Sequence, residues 1–229
     1  MLKLYLNYIS QPSKAVAVLC KMGGIQVEEI KVVLKNHQHR KSDFMKVNPL
    51  GTVPILIDGD DKIVESNAIL KYLCRKYDLS KDLYPRGDPL SLAKVDATLD
   101  LNSHTVRPTI MPYVQQSVFR IVLGMGPCEE KRMKFITKGA HSTLKRLDWI
   151  LSEPEIPFFT LNTKTIADLQ IFEELHFMHE LSDIKMHQYK HLGAWYDKMF
   201  KKEEIQHYHK LMEEQVNEDF GTDFKFTAT

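Results

Sequence analysis

Cysteine is scarce in this sequence. Three residues in 229, Cys20, Cys74 and Cys128, are odd in number and widely spaced, with no C-x-x-C pair, which excludes a disulfide framework and a thiol-oxidoreductase motif. They read as small packing residues. An excess of either charge is also missing: 31 basic residues face 30 acidic ones, and a net charge of +1 leaves no electrostatic footprint for nucleic acid. Apolar runs stop after a handful of residues, far short of the about 20 that cross a bilayer, and the N-terminus MLKLYL lacks the apolar core and cleavage site of a secretory signal. The expectation is a soluble cytosolic protein with no membrane insertion. Ten Gly and ten Pro leave little room for linkers. No H-E-x-x-H or Cys/His cluster is present, so His176, His179, His187, His191, His207 and His209 are expected to be solvated or packing groups, and no metal is expected.

What is there is 43% hydrophobic, enough to bury a core in one or two domains. The most informative stretch is Asn48 to Ile69. Thr52 to Ile57 is β-branched and apolar, Asp58, Gly59, Asp60 and Asp61 supply a turn, and Ile63 and Val64 resume a strand, which predicts a hairpin. Ser66 then precedes Ile69, Leu70, Leu73 and Tyr77 at helical spacing and reads as an N-cap. Two features exceed what a hairpin needs. Pro54 stands just inside a strand, where it cannot donate to the ladder, and a cis bond after Val53 would turn the Val53 backbone outward to a ligand. Glu65 and Ser66 stand at a helix N-terminus, where free N–H groups attract a carboxylate or phosphate.

Around this stretch the pattern is regular. Leu2 to Asn7 alternates as a strand, Pro12 opens a helix that Gly23 and Gly24 stop, and Val27 to Leu34 reads as a second strand, giving βαβ and then ββα. That is the thioredoxin-like order. Residues 1–78 form this unit and the turn-rich 79–89 a linker. From 90 to 229 only helical patterning is found, so the fold class is α+β: a thioredoxin-like domain followed by an all-α bundle. Leu90 to Gly124 reads as one helical region kinked by Pro108 and Pro112, and Glu129 to Ser152 as the next. Thr165 and Asp168 frame a capping box; Tyr189 to Phe200 and Glu203 to about Gln215 complete the bundle. Asn217 to Thr229 shows no periodicity.

In register, LYLNYISQPSKAV at Leu4 to Val16, Gln38-His39, VNPLGTVP at Val47 to Pro54 and ESNAIL at Glu65 to Leu70 resemble the theta class of the cytosolic glutathione transferases, and the similarity spans nearly the whole chain. From the residues alone, Ser10-Gln11-Pro12 is equally a helix entry and a site; the resemblance implies that Ser10 donates a hydrogen bond to the glutathione sulfur. It also implies that Val53 and Pro54 cradle the cysteinyl part, Glu65 and Ser66 hold the γ-glutamyl end, and His39, with Arg40 or Lys41, reaches the glycine carboxylate. Arg107 matches a theta-class arginine, and Met111 and Val114 are candidate walls of an electrophile pocket. This chain departs from its relatives at His104, where some carry an acid thought to reach the neighbouring subunit, and at Leu161, commonly Gly. The implied activity is detoxifying attack of glutathione thiolate on hydrophobic electrophiles by a homodimer. Dehalogenase, isomerase and peroxidase variants of that chemistry stay open, as does a non-catalytic carrier that keeps the fold. Separately, the spacing of Phe220, Phe224 and Phe226 among Asp and Lys reads the tail, 221–229, either as a lid over the electrophile pocket or as a disordered terminus.

Overall fold

The structure, a computed structural model, describes residues 1–120 and 123–221. Leu2–Leu6 forms β1, burying Leu2, Leu4 and Leu6 while Lys3 stays exposed, as period-two alternation requires. Helix α1 (Gln11–Met22) carries the chain back to β2 (Val27–Lys31), which lies parallel to β1 with Leu2 opposite Val27. Strand β2 is shorter than the apolar run suggested; only the Val32 N–H continues the pairing, to Leu6 O at 2.8 Å. A single turn at Gln38–Arg40 and α2 (Ser42–Val47) lead to β3 (Ile55–Asp58) and β4 (Asp61–Val64), and the four strands order β2-β1-β3-β4. The hairpin turn places Gly59 at φ 62°, a conformation glycine adopts without steric cost.

Strand β3 begins at Ile55, three residues later than the apolar run from Thr52, because Pro54 has no N–H to offer the ladder. The Val53–Pro54 bond is cis. Helix α3 (Ser66–Lys76) follows β4, and here the sequence reading of the cap is corrected: Glu65, at φ 67°, is the N-cap and Ser66 is the first helical residue. A residue with a Cβ at positive φ leaves no signature in composition, so the boundary could not be placed from the sequence.

Residues 77–88 have neither helix nor strand. Beyond them α4 (Pro89–Leu101), capped by Asp88 accepting from Leu90 and Ser91 N–H, runs into a wider π turn at Asn102–Val106, α5 (Arg107–Val114) and a second π turn at Gln115–Phe119. The helix absorbs Pro108 and Pro112, which cannot donate to the preceding turn, by flanking them with i→i+5 turns. Helix α6 (Glu130–Ile150) packs Ala140, Leu144 and Leu147 inward. Helix α7 (Ile166–Leu181) opens on the expected box: Thr165 Oγ1 accepts from Ala167 N–H while Asp168 accepts from Thr165 N–H at 2.9 Å. Leu161, ahead of that box, packs partly buried against the core. Helices α8 (Lys190–Phe200) and α9 (Glu203–Phe220) complete the described chain. Helix α9 extends past Gln215 because Val216 and Asp219 are buried, and it ends at Gly221 with φ 93°. The expected lid, Gly221 apart, lies outside the described residues.

One continuous core unites the sheet face carrying Leu2, Leu4 and Leu6 with α1, α3 and the helical half. Helix α1 is its centre, buried from Ala15 to Cys20 and packed on α7. At that contact Lys14, 1% exposed, meets Glu173 at 2.8 Å, with Met212 Sδ 3.2 Å away. Burial raises the Glu173 carboxyl pKa and the Lys14 charge opposes the rise.

Candidate functional site

A cleft of about 260 Å³ opens where the N-terminus of α1, the loop before β3 and the α4–α5 helical run meet. Its walls include Ser10, Gln11, His39, Val53, Arg107 and Met111, with Phe119 and Phe177 forming an aromatic side. The rings of Phe119 and Phe177 lie 5.7 Å apart, and Phe220 packs on Phe119 from beyond at 6.0 Å.

Ser10 is the N-cap of α1, yet its hydroxyl makes no capping bond to the first turn. Ser13, fully buried one turn on, donates to Ser10 Oγ at 3.0 Å. That bond occupies a lone pair of Ser10 and leaves its own proton to donate outward, beside a helix N-terminus whose dipole favours an anion. Gln11 is steadied by donation from Nε2 to Met111 Sδ at 2.9 Å.

The two tyrosines that could compete for this role are committed elsewhere. Tyr5 packs edge-on against Phe44 at 6.1 Å on the other side of the sheet, in a separate cluster with Val32 and Ile55. Tyr8 donates to Glu29 at 2.7 Å, as Tyr208 does, and burial with that carboxylate pushes its pKa well up.

His39, on the turn before α2, lines the cleft, and its buried Nδ1 has no partner among the described residues. Desolvation lowers its pKa, with Arg40 and His37 adding to the effect, so the ring is neutral at pH 7. Arg40 is exposed and is not part of the cleft wall, and Lys41 lines a different cleft under β2. Val53 lines the cleft and lies outside the strand ladder, whose last pair at this end is Ile55 with Val64. Ser66 Oγ accepts from Gln170 Nε2 at 2.6 Å, which leaves its hydroxyl proton free, and Gln170 also holds Asn67 Oδ1 at 2.9 Å. Glu65 and Ser66 do not line the cleft.

Of the residues named for the electrophile side, Arg107 and Met111 line the cleft and Val114 does not. Val114 is fully buried in the core. Arg107 pairs with Glu174, a buried carboxylate whose pKa burial raises and Arg107 lowers. His104 is exposed and turns its Nδ1 to Asp100 O at 3.0 Å. Sequence reasoning missed Ser13, Gln170, Glu174 and the two phenylalanines. Ser13 alone carried a readable signal, three residues after Ser10 and so on the same helix face.

Four of the six histidines have specific polar partners: His179 Nδ1 accepts from Met186 N–H at 3.0 Å, His187 Nε2 meets Asp197 at 2.8 Å, and His176 and His209 meet each other. His176 Nε2 shares a hydrogen with His209 Nδ1 at 2.9 Å, His176 Nδ1 meets Tyr196 Oη at 2.7 Å, and His209 Nε2 faces Glu213 at 3.3 Å. With Glu180, His176 and His209 form a group whose possible ligand atoms lie within 4.8 Å of one another. Their ring nitrogens are already engaged in this chain of bonds.

The family model for the glutathione S-transferase N-terminal domain matches residues 1–75, and that for the C-terminal domain matches 118–211. Glutathione S-transferase T1 of Arabidopsis thaliana is 34% identical over 80% of this chain and 74% of its own length. Against Arabidopsis glutathione S-transferases T2 and T3 the matched stretch spans about a third of the relative, 31% in each. Among solved structures, human glutathione-S-transferase T1-1 in its apo form superposes with a TM-score of 0.86 at 28% identity, over 100% of this chain and 94% of that one. Human glutathione transferase theta-2, in complex with glutathione and an unknown ligand, superposes at 0.83 and 28% identity over 95% and 90%. From the four-stranded sheet to the helical half, and in relatives that match most of both chains, the chain belongs to the glutathione S-transferase family, on its theta-class side.

Proposed function

We propose that this chain is a glutathione transferase that holds glutathione as a thiolate through Ser10 and directs it at hydrophobic electrophiles. The observation that carries the reading is the orientation of Ser10: its oxygen is held by Ser13, its proton is free, and it faces the cleft while Tyr5 and Tyr8 do not. A thiol of pKa about 8.5 is only about 3% ionised at pH 7, so a fall of about two units makes it mostly thiolate. A neutral hydroxyl bond contributes about 1 kcal/mol of the about 2.7 kcal/mol that this shift represents, and the α1 dipole supplies part of the rest.

In this reading the peptide lies along Val53, its γ-glutamyl carboxylate meets the Ser66 hydroxyl and the N-terminus of α3, and Glu65 takes the ammonium. The unpartnered His39 Nδ1 suits the glycine carboxylate when its tautomer carries the proton there. The electrophile occupies the side walled by Arg107, Met111, Phe119 and Phe177. The sulfur attacks an electrophilic carbon, a leaving group departs or a ring opens, and the protein contributes orientation and anion stabilisation. We place the protein in the cytoplasm and expect a two-fold homodimer through α3 and α4, which sedimentation at micromolar concentration tests: a 26.6 kDa species contradicts it.

The test of function is conjugation of glutathione to a panel of aryl halides, alkyl halides and epoxides by wild type and Ser10→Ala. Turnover by wild type with at least about a tenfold loss of kcat/KM in the variant supports the reading. Absence of turnover, with retention on immobilised glutathione or hydrophobic ligands, supports a carrier instead.

A further inference from the structure

Helix α6 turns an unusual face outward. It carries six lysines and arginines (Lys131, Arg132, Lys134, Lys138, Lys145 and Arg146) against two acids, Glu130 and Asp148. All six cations are exposed. Both acids are already engaged: Glu130 pairs with Lys134 at 2.5 Å, and Asp148 accepts from the His191 and Leu192 N–H groups, capping α8. The other five cations have no ion pair among the described residues. The chain as a whole is nearly neutral at +1, so its cationic excess is gathered on this helix, bounded by Glu129 before it and Glu153 and Glu155 after.

Two large aromatic side chains share that face. Phe135 is 80% exposed and Trp149 77% exposed. At 100° per residue they fall about 40° apart around the helix and about 21 Å apart along it, so both can touch one flat surface at once, with Lys138, Lys145 and Arg146 between them. The opposite face is anchored in the core through Ala140, Thr143, Leu144 and Leu147, which keeps the stripe rigid and outward. Unpaired cations call for an anionic partner, and bare Phe and Trp flanking them call for an apolar layer beneath the charge. A lipid headgroup region offers both; a nucleic-acid backbone offers the charge alone.

We propose that the outer face of α6 is a docking surface for anionic membrane, on which the protein lies peripherally with Phe135 and Trp149 at the headgroup boundary. No helix among the described residues is long and apolar enough to cross a membrane, and none is required to. The contact leaves the cleft beside Ser10 untouched, since no α6 residue lines it.

The test is co-sedimentation of the full chain with vesicles of phosphatidylcholine alone and of phosphatidylcholine with about 30% phosphatidylserine. Trp149 supplies a second readout, because the only other tryptophan, Trp195, is buried. Binding to the anionic vesicles only, a blue shift of Trp149 emission on binding, and release at about 0.5 M salt are expected. Phe135→Ser with Trp149→Ser, and separately Lys138→Glu with Lys145→Glu, should each weaken binding at least about fivefold while circular dichroism stays that of wild type. The proposal is overturned if anionic vesicles do not bind. It is equally overturned if both double variants bind like wild type, if duplex DNA binds and vesicles do not, or if the face proves to join two copies of the chain in solution.

Discussion

Ser13 donates its hydroxyl proton to Ser10 Oγ across 3.0 Å, one turn into the helix that Ser10 caps. A serine hydroxyl has one proton, and if Ser10 gave it to Ser13 nothing would remain for a sulfur. The direction of this bond therefore bears on the whole mechanism. Ser13→Ala should raise the apparent pKa of the bound thiol and lower kcat/KM about threefold, with KM for glutathione little changed, because the residues proposed to grip the peptide are untouched. A variant that is merely less stable, with the thiol pKa unmoved, would reduce Ser13 to a packing residue.

A second expectation concerns the buried pair at the contact between α1 and α7. Lys14→Met leaves Glu173 buried without its cation, and loss of about 3–5 kcal/mol of unfolding free energy is expected, read from urea melts. Adding Glu173→Leu to that variant should recover most of the loss, since a matched apolar pair has no charge to desolvate. Equal stability of Lys14→Met and wild type would show that the pair contributes nothing.

The histidine pair sets a pH dependence. Burial depresses the pKa of both rings, with Lys14 adding to it, and His209 falls to about 4. Unfolded, each takes up a proton near pH 6.5. Between about pH 6.5 and 4 the unfolded chain thus binds more protons than the folded one, and stability declines as pH falls through that window. His209→Gln should show a shallower decline of Tm between pH 7 and 4.5 than wild type. Parallel curves would mean that the pair does not titrate as described.

Much of this architecture was readable from residue type alone. The turn at Gly59 and the Thr165/Asp168 box each mark a local event that the local sequence dictates, and both stand where the pattern put them, whereas Pro54 falls just before β3 and not inside it. The misplacements share a different cause. Glu65 caps α3 from a positive φ that no side chain announces, and α9 runs on through Val216 and Asp219 because tertiary burial, not periodicity, holds it. Met111 and Val114 are three apart and read as one face, yet they sit about 60° apart around the helix, and the cleft reaches only Met111. The meeting of His176 with His209, 33 residues distant, depends on how two helices pack, which spacing along one helix cannot reveal.

Arg107 offers a check on the electrophile side. Its guanidinium lines the cleft while paired with buried Glu174, so Arg107→Ala removes both a positive wall and the partner of a buried carboxylate. Arg107→Lys keeps charge but loses the forked geometry, and it should retain stability better than the alanine variant while still raising KM for the electrophile several-fold. If KM for glutathione rises instead and that for the electrophile is unchanged, Arg107 belongs to the peptide half of the site.

The central claim is that Ser10, and neither tyrosine near it, makes the thiolate. It is tested most directly by titrating the thiolate absorbance of glutathione bound to wild type, Ser10→Ala, Tyr5→Phe and Tyr8→Phe. The account predicts a bound thiol well below its free pKa of about 8.5 in wild type and in both tyrosine variants, and a return toward the free value in Ser10→Ala alone. A depressed pKa that survives Ser10→Ala and disappears in Tyr5→Phe would contradict it.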